Sequence, residues 1–115
     1  MWMNRVRTAL ASSPGTGTFA LGAADAGYIG WAAAGAESGG EVTYLAEESG
    51  AKWEVGRGTW NATGNTLTRN EILRSSAALV GGRPQKETFT SAAKVGSTVA
   101  AEDLDYAFCI SVSAR

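Results

Sequence analysis

Glycine- and serine-rich points interrupt this chain at short intervals, and that punctuation constrains the fold more than any other feature. They fall at residues 12–15, 35–40, 49–50, 61–65 and 81–84, and the 15 glycines run along the whole length. Between them lie short segments in which apolar and polar residues alternate with period 2, the pattern of strands joined by turns. Residues 41–48 alternate most clearly, with Val42 and Tyr44 on one face. Residues 51–60 follow, and the brief connector at 48–50 predicts a hairpin that fixes the register of both strands. Trp53 and Val55 share one face of the second strand and read as its core side, which puts Lys52, Glu54 and Gly56 outside. Further strands are predicted at 16–21, around Tyr28 to Trp31, at 65–69 after a turn at 61–64, and at 106–113. Residues 70–81 carry the one helix candidate, capped by Asn70 and stopped by Gly81, with Ser75-Ser76 as a poor centre. The expectation is an all-β fold, a small antiparallel sandwich or barrel-like domain of about seven to nine short strands with at most one short helix.

Size and charge bound the function. At 115 residues the chain predicts a single domain, 1–115. Ten Lys and Arg against 11 Asp and Glu give a net charge of -1, which argues against a nucleic-acid partner or a polybasic membrane role. No stretch has the run of apolar residues a membrane helix needs. The basic start around Arg5 and Arg7 is not followed by the apolar run of a secretory signal. There is no histidine, which removes Ser-His-Asp and Cys-His chemistry and the usual zinc ligand sets. The single cysteine, Cys109, has no internal disulfide partner and reads as a buried thiol.

The remaining chemical candidates each have a plainer reading. Residues 15–18, Gly-Thr-Gly-Thr, lack the flanking strand, helix and Lys-Ser/Thr of a phosphate loop and read as a turn into a strand. The run Glu102-Asp103-Leu104-Asp105 lacks the glycine of a calcium loop and reads as a solvated turn. Glu37, Glu41, Glu47, Glu48, Glu54 and Glu71 could supply a carboxylate pair for a hydrolase, but their spacing brings no two to a set separation, and most read as outward-facing. Asn61-Ala62-Thr63 matches a glycosylation site by chance. No catalytic residue, metal site or cofactor is expected. Four tryptophans and three tyrosines are many for this length; interfaces are enriched in both, and Trp2 is the tryptophan placed against a partner.

An ordered series of motifs resembles a β-rich module of tailed bacteriophages, found in tail-fibre-like and other virion structural proteins. It runs through Arg5-Val6-Arg7, Gly15-Thr16-Gly17-Thr18, Gly27-Tyr28-Ile29, Thr43-Tyr44, Trp53-Glu54-Val55-Gly56-Arg57-Gly58-Thr59-Trp60, Thr66-Leu67-Thr68-Arg69 and Ile72-Leu73-Arg74-Ser75-Ser76. The similarity spans about residues 5 to 100. Phe89-Thr90-Ser91-Ala92-Ala93-Lys94-Val95 departs from the module by lacking a glycine. The resemblance implies a virion location, as a capsid decoration or a tail or collar fibre module. It implies self-association, a trimer first, and contact with other virion proteins. It implies that Gly56 and Gly58 mark a bulge or a close backbone approach, and that Arg69 is an anchor able to pair bidentately with a carboxylate. The interface residues expected on this reading are Trp2, Arg5, Arg7, Tyr28, Trp60 and Arg69. The alternative is a carbohydrate-binding module with Trp60 and Tyr28 as stacking platforms.

Overall fold

The computed structural model describes residues 5–49 and 51–98. Six strands lie among them: β1 (Arg7–Leu10), β2 (Phe19–Ala24), β3 (Gly40–Glu48), β4 (Lys52–Asn61), β5 (Thr66–Ser75) and β6 (Lys94–Ser97). The described residues contain no helix. All pairings are antiparallel, in the order β1-β2-β5-β4-β3-β6, and β6 pairs back onto β1 to close the ring. The expected strand at 106–113 and Cys109 lie outside the described residues.

The β3–β4 hairpin forms as the sequence predicts, in unbroken register from Gly40↔Trp60 to Glu48↔Lys52. Its turn needs Ser49 at φ 56°. The β4–β5 turn likewise places Gly64 at φ 76° and Asn65 at φ 49°, the left-handed region that Gly and Asn tolerate best.

The inner faces of β1–β6 build the core. Leu10, Phe19, Leu21, Val42, Tyr44, Ala46, Trp60, Leu67 and Val95 are buried, joined by Val6, Trp31, Phe89 and Ala93 from the flanking segments. Phe19 meets Tyr44 edge to face, with ring centroids 5.6 Å apart. The Trp31 indole N–H is buried with no hydrogen-bond partner among the described residues.

Three expectations are corrected. First, β4 faces the other way: Glu54, Gly56, Gly58 and Trp60 point inward, while Trp53 is 37 % exposed. A Cβ at Gly56 would press into the Glu71 carbonyl and the Tyr44 hydroxyl, and one at Gly58 into the Thr68 carbonyl and the Leu67 side chain. Glycine is therefore required at 56 and 58 on the inner face, which Trp60 shares, and alternation puts Trp53 on the other. Second, residues 70–75 continue β5 instead of starting a helix. The strand stays paired with β4 to Glu54↔Ser75 through two register shifts, beside Gly56 and Gly58, where Leu73 and Asn70 are the extra residues. Such bulges bend a strand around a barrel wall. Third, the segment at Tyr28 to Trp31 makes one isolated bridge, Val6↔Ile29, and passes into a turn at 31–35. β1 and β6 form where no strand was expected, each four residues long, too short for alternation to stand out.

Candidate functional site

The polar chemistry of this chain is inside the barrel. β4 carries Glu54 inward and β5 carries Arg69 inward, so the two side chains meet across the lumen. Glu54 is 0 % exposed and Arg69 4 %. The guanidinium grips the carboxylate with two parallel bonds: Nε donates to Oε2 at 2.8 Å and Nη2 to Oε1 at 2.5 Å. Nη2 also donates to the Glu87 carbonyl, and Nη1 to the carbonyls of Gly15 and Gly17. All five guanidinium hydrogens are then engaged. Glu54 is equally full. Oε1 also accepts the Glu87 backbone N–H, and Oε2 accepts the Tyr44 hydroxyl. Phe19 and Phe89 flank the cation, 4.6 Å and 5.5 Å from its carbon to their ring centroids.

This arrangement is a staple. Arg69 ties the β1–β2 loop at Gly15 and Gly17, and the long β5–β6 loop at Glu87, to the middle of the barrel. The loops also touch each other through the Gly15↔Phe89 bridge and a bond from the Ser91 N–H to Ser13 Oγ. The loop at 15–18 therefore presents carbonyl oxygens to an arginine, the opposite polarity from a phosphate cradle. Burial, then the Glu54 charge and hydrogen bond, push the Tyr44 phenol far above its ordinary 10.0. Glu87 is held below its ordinary value, first by its hydrogen bond from Ser76.

The expected interface residues divide. Arg5, Arg7 and Tyr28 come together on the outer surface: the Arg5 guanidinium carbon lies 4.5 Å from the Tyr28 ring centroid and that of Arg7 5.8 Å. Arg5 also donates to the Gly27 carbonyl at 2.8 Å. Arg7 pairs with Asp25 at 3.2 Å, its Nε–H not aligned for a hydrogen bond, and Lys94 reaches the other Asp25 oxygen at 2.9 Å. A shallow cavity of about 140 Å³ lies here, lined by Arg7, Tyr28, Leu45, Glu47, Lys94 and Gly96 among others. It is smaller than the roughly 300 Å³ at which small-molecule pockets begin. Trp60 and Arg69 are corrected. Trp60 is 3 % exposed, its indole N–H bonded to Asn65 Oδ1 at 3.0 Å, so neither side chain is available to a partner. Trp2 and the acidic run at 102–105 lie outside the described residues. No group of three or more metal-ligating side chains occurs among the described residues.

Glu54 is the site residue that sequence reasoning placed on the wrong face, naming it only as an outward carboxylate. The signal was parity: Glu54, Gly56, Gly58 and Trp60 share one face, and two glycines beside a tryptophan mark a tightly packed side. No protein-family model matches the chain, and comparison with curated proteins and with solved structures finds no match.

Proposed function

We propose that this chain is a structural protein of a tailed-bacteriophage virion, carried on the particle surface as a capsid decoration or as a tail or collar fibre module. On this reading it works by being held, as a homo-oligomer with a trimer first, against capsid or tail proteins. The ordered motif series between residues 5 and 100 is its sequence basis. One structural observation supports it above others. The lumen is filled by the Glu54–Arg69 staple and aromatic rings, while Trp53, Leu79 and Val80 are exposed at 37 %, 56 % and 65 %. Large apolar groups left outside a packed barrel suit burial against neighbours. The carbohydrate-binding alternative loses a platform, because the Trp60 ring is buried.

The test is an electron-microscopy map of intact particles with mass spectrometry of their proteins. The expected result is this barrel at symmetric surface positions in many copies per particle. A chain missing from purified particles, and monomeric while binding glycans, overturns the proposal.

A further inference from the structure

Apart from Arg5 and Ile29, which lie together beside the start of β1, the exposed charged and large apolar groups argued from here fall at one end of the barrel or the other. The two ends are marked by Gly40 and Glu48 of β3, about 26 Å apart at a strand's rise per residue. At the Glu48 end lie Trp53, the close of β5, and the loop that follows it. That loop is anchored there: the Ser76 N–H donates to the Trp53 carbonyl, and Ser75 Oγ to the Gln85 carbonyl. Its tip is a tight turn closed by the Val80↔Arg83 bridge over Gly81 and Gly82 at φ 59° and 77°. Leu79 and Val80 stand exposed beside it. Arg74, Arg83 and Lys86 are exposed at the same end and make no ion pair with a described residue. With Lys52, that makes four cations against Glu48 and Glu87, which accept from Thr90, Ser76 and Thr88, and against Glu47, which Arg7 pairs with.

The Gly40 end is the converse. Glu37 and Glu41 are exposed there and also lack an ion pair with a described residue. No Lys or Arg occurs from residue 8 to residue 51. Exposed Ala32 and Ala33, from the turn at 31–35, add a small-residue apolar surface.

We propose that copies of this chain associate head to tail, the basic apolar end of one seated on the acidic small-residue end of the next. Trp53, Leu79 and Val80 would lie on the alanine turn, with Arg74 and Arg83 facing Glu37 and Glu41. This rests on the assembly reading above and adds which surfaces meet. Such a contact is heterologous: it closes into a ring, such as a trimer, where successive copies rotate, and runs on as a column where they do not.

The test uses two charge-reversed forms of the full chain, Arg74→Glu/Arg83→Glu and Glu37→Lys/Glu41→Lys. All four positions are exposed, and circular dichroism checks that both forms fold. Each form alone is expected to self-associate at least about tenfold more weakly than wild type in sedimentation, because like charges then face each other. Mixing the two in equal amounts should restore association between unlike forms. Wild-type association in either form alone, or no recovery on mixing, overturns the contact. A particle map with the barrel present but its basic end on a different protein overturns this contact and leaves the virion role standing.

Discussion

At the residue scale the molecule turns on Arg69 and Glu54. A buried ion pair is tolerable only when its geometry is good and every remaining donor and acceptor is filled. Here both conditions hold, since Tyr44, Gly15, Gly17 and Glu87 complete the shells. Arg69→Met leaves a buried carboxylate without its cation, and should cost about 3–5 kcal/mol in urea unfolding. The double variant Glu54→Leu/Arg69→Met should recover part of that loss but not all, because the Gly17 and Glu87 carbonyls lose the donor that Arg69 supplies, while Gly15 keeps the Phe89 N–H. A single variant within about 1 kcal/mol of wild type would remove the staple from the account. Tyr44 supplies a pH test. Its folded phenol holds its proton far above the ordinary 10.0, so the protonated form is the one folding favours. Its contribution is complete below pH 10 and is lost as pH rises beyond it, by about 1.4 kcal/mol per pH unit for one proton. Chemical unfolding at several pH values should show this alkaline decline in wild type and much less of it in Tyr44→Phe.

At the element scale β4 and β5 show how bulges and glycines cooperate. Pairing skips one residue of β5 beside each of Gly56 and Gly58, and the partner backbone then crowds the glycine Cα. This is the bulge and close approach that the motif's glycines imply. Gly58→Ala should cost about 1–3 kcal/mol, since its Cβ has a backbone carbonyl in its way. Gly30, with nothing within 4 Å of an added Cβ, is the control, and Gly30→Ala should be neutral or slightly stabilising. Equal losses at both sites would mean that crowding is not what selects glycine at position 58. Period 2 was legible in this hairpin, register included, because alternation persists over nine paired positions. Which face is inside was not. Hydrophobicity favours Trp53 and Val55, and only a cation waiting on β5 makes the Glu54 face the better one to bury. The same limit hid the end of β5: residues 70–75 read locally as a weak helix, and pairing with β4 decides for strand.

At the scale of the whole molecule the barrel has a filled inside and a polarised outside. Arg74, Arg83 and Lys86, without an ion pair among the described residues, and three of the four exposed large apolar side chains lie at one end; Glu37, Glu41 and the alanines lie at the other. If head-to-tail contact joins these ends, self-association should weaken with added salt, because the Debye length falls from ~10 Å at 0.1 M to ~3 Å at 1 M. A residual association at high salt should then be sensitive to Leu79→Ser and Val80→Ser, both read by sedimentation. Association that strengthens with salt and ignores the charges would assign it to apolar contact alone.

The amino-acid sequence by itself determined the class of this fold. Gly and Ser punctuation and period-2 segments permit short antiparallel strands and little else, and turn chemistry at 49–50 and 61–65 sets where the chain reverses. The resemblance of its motif series singled out Arg69, Gly56 and Gly58. The tertiary structure decided which face of β4 is buried, how far β5 runs, and that Arg5, Arg7 and Tyr28 meet outside while Trp60 and Arg69 do not. The reason is one of range. Alternation and turn geometry act over a few residues, whereas burying Glu54 depends on a guanidinium 15 residues away and on loop carbonyls 52 and 54 residues from that guanidinium.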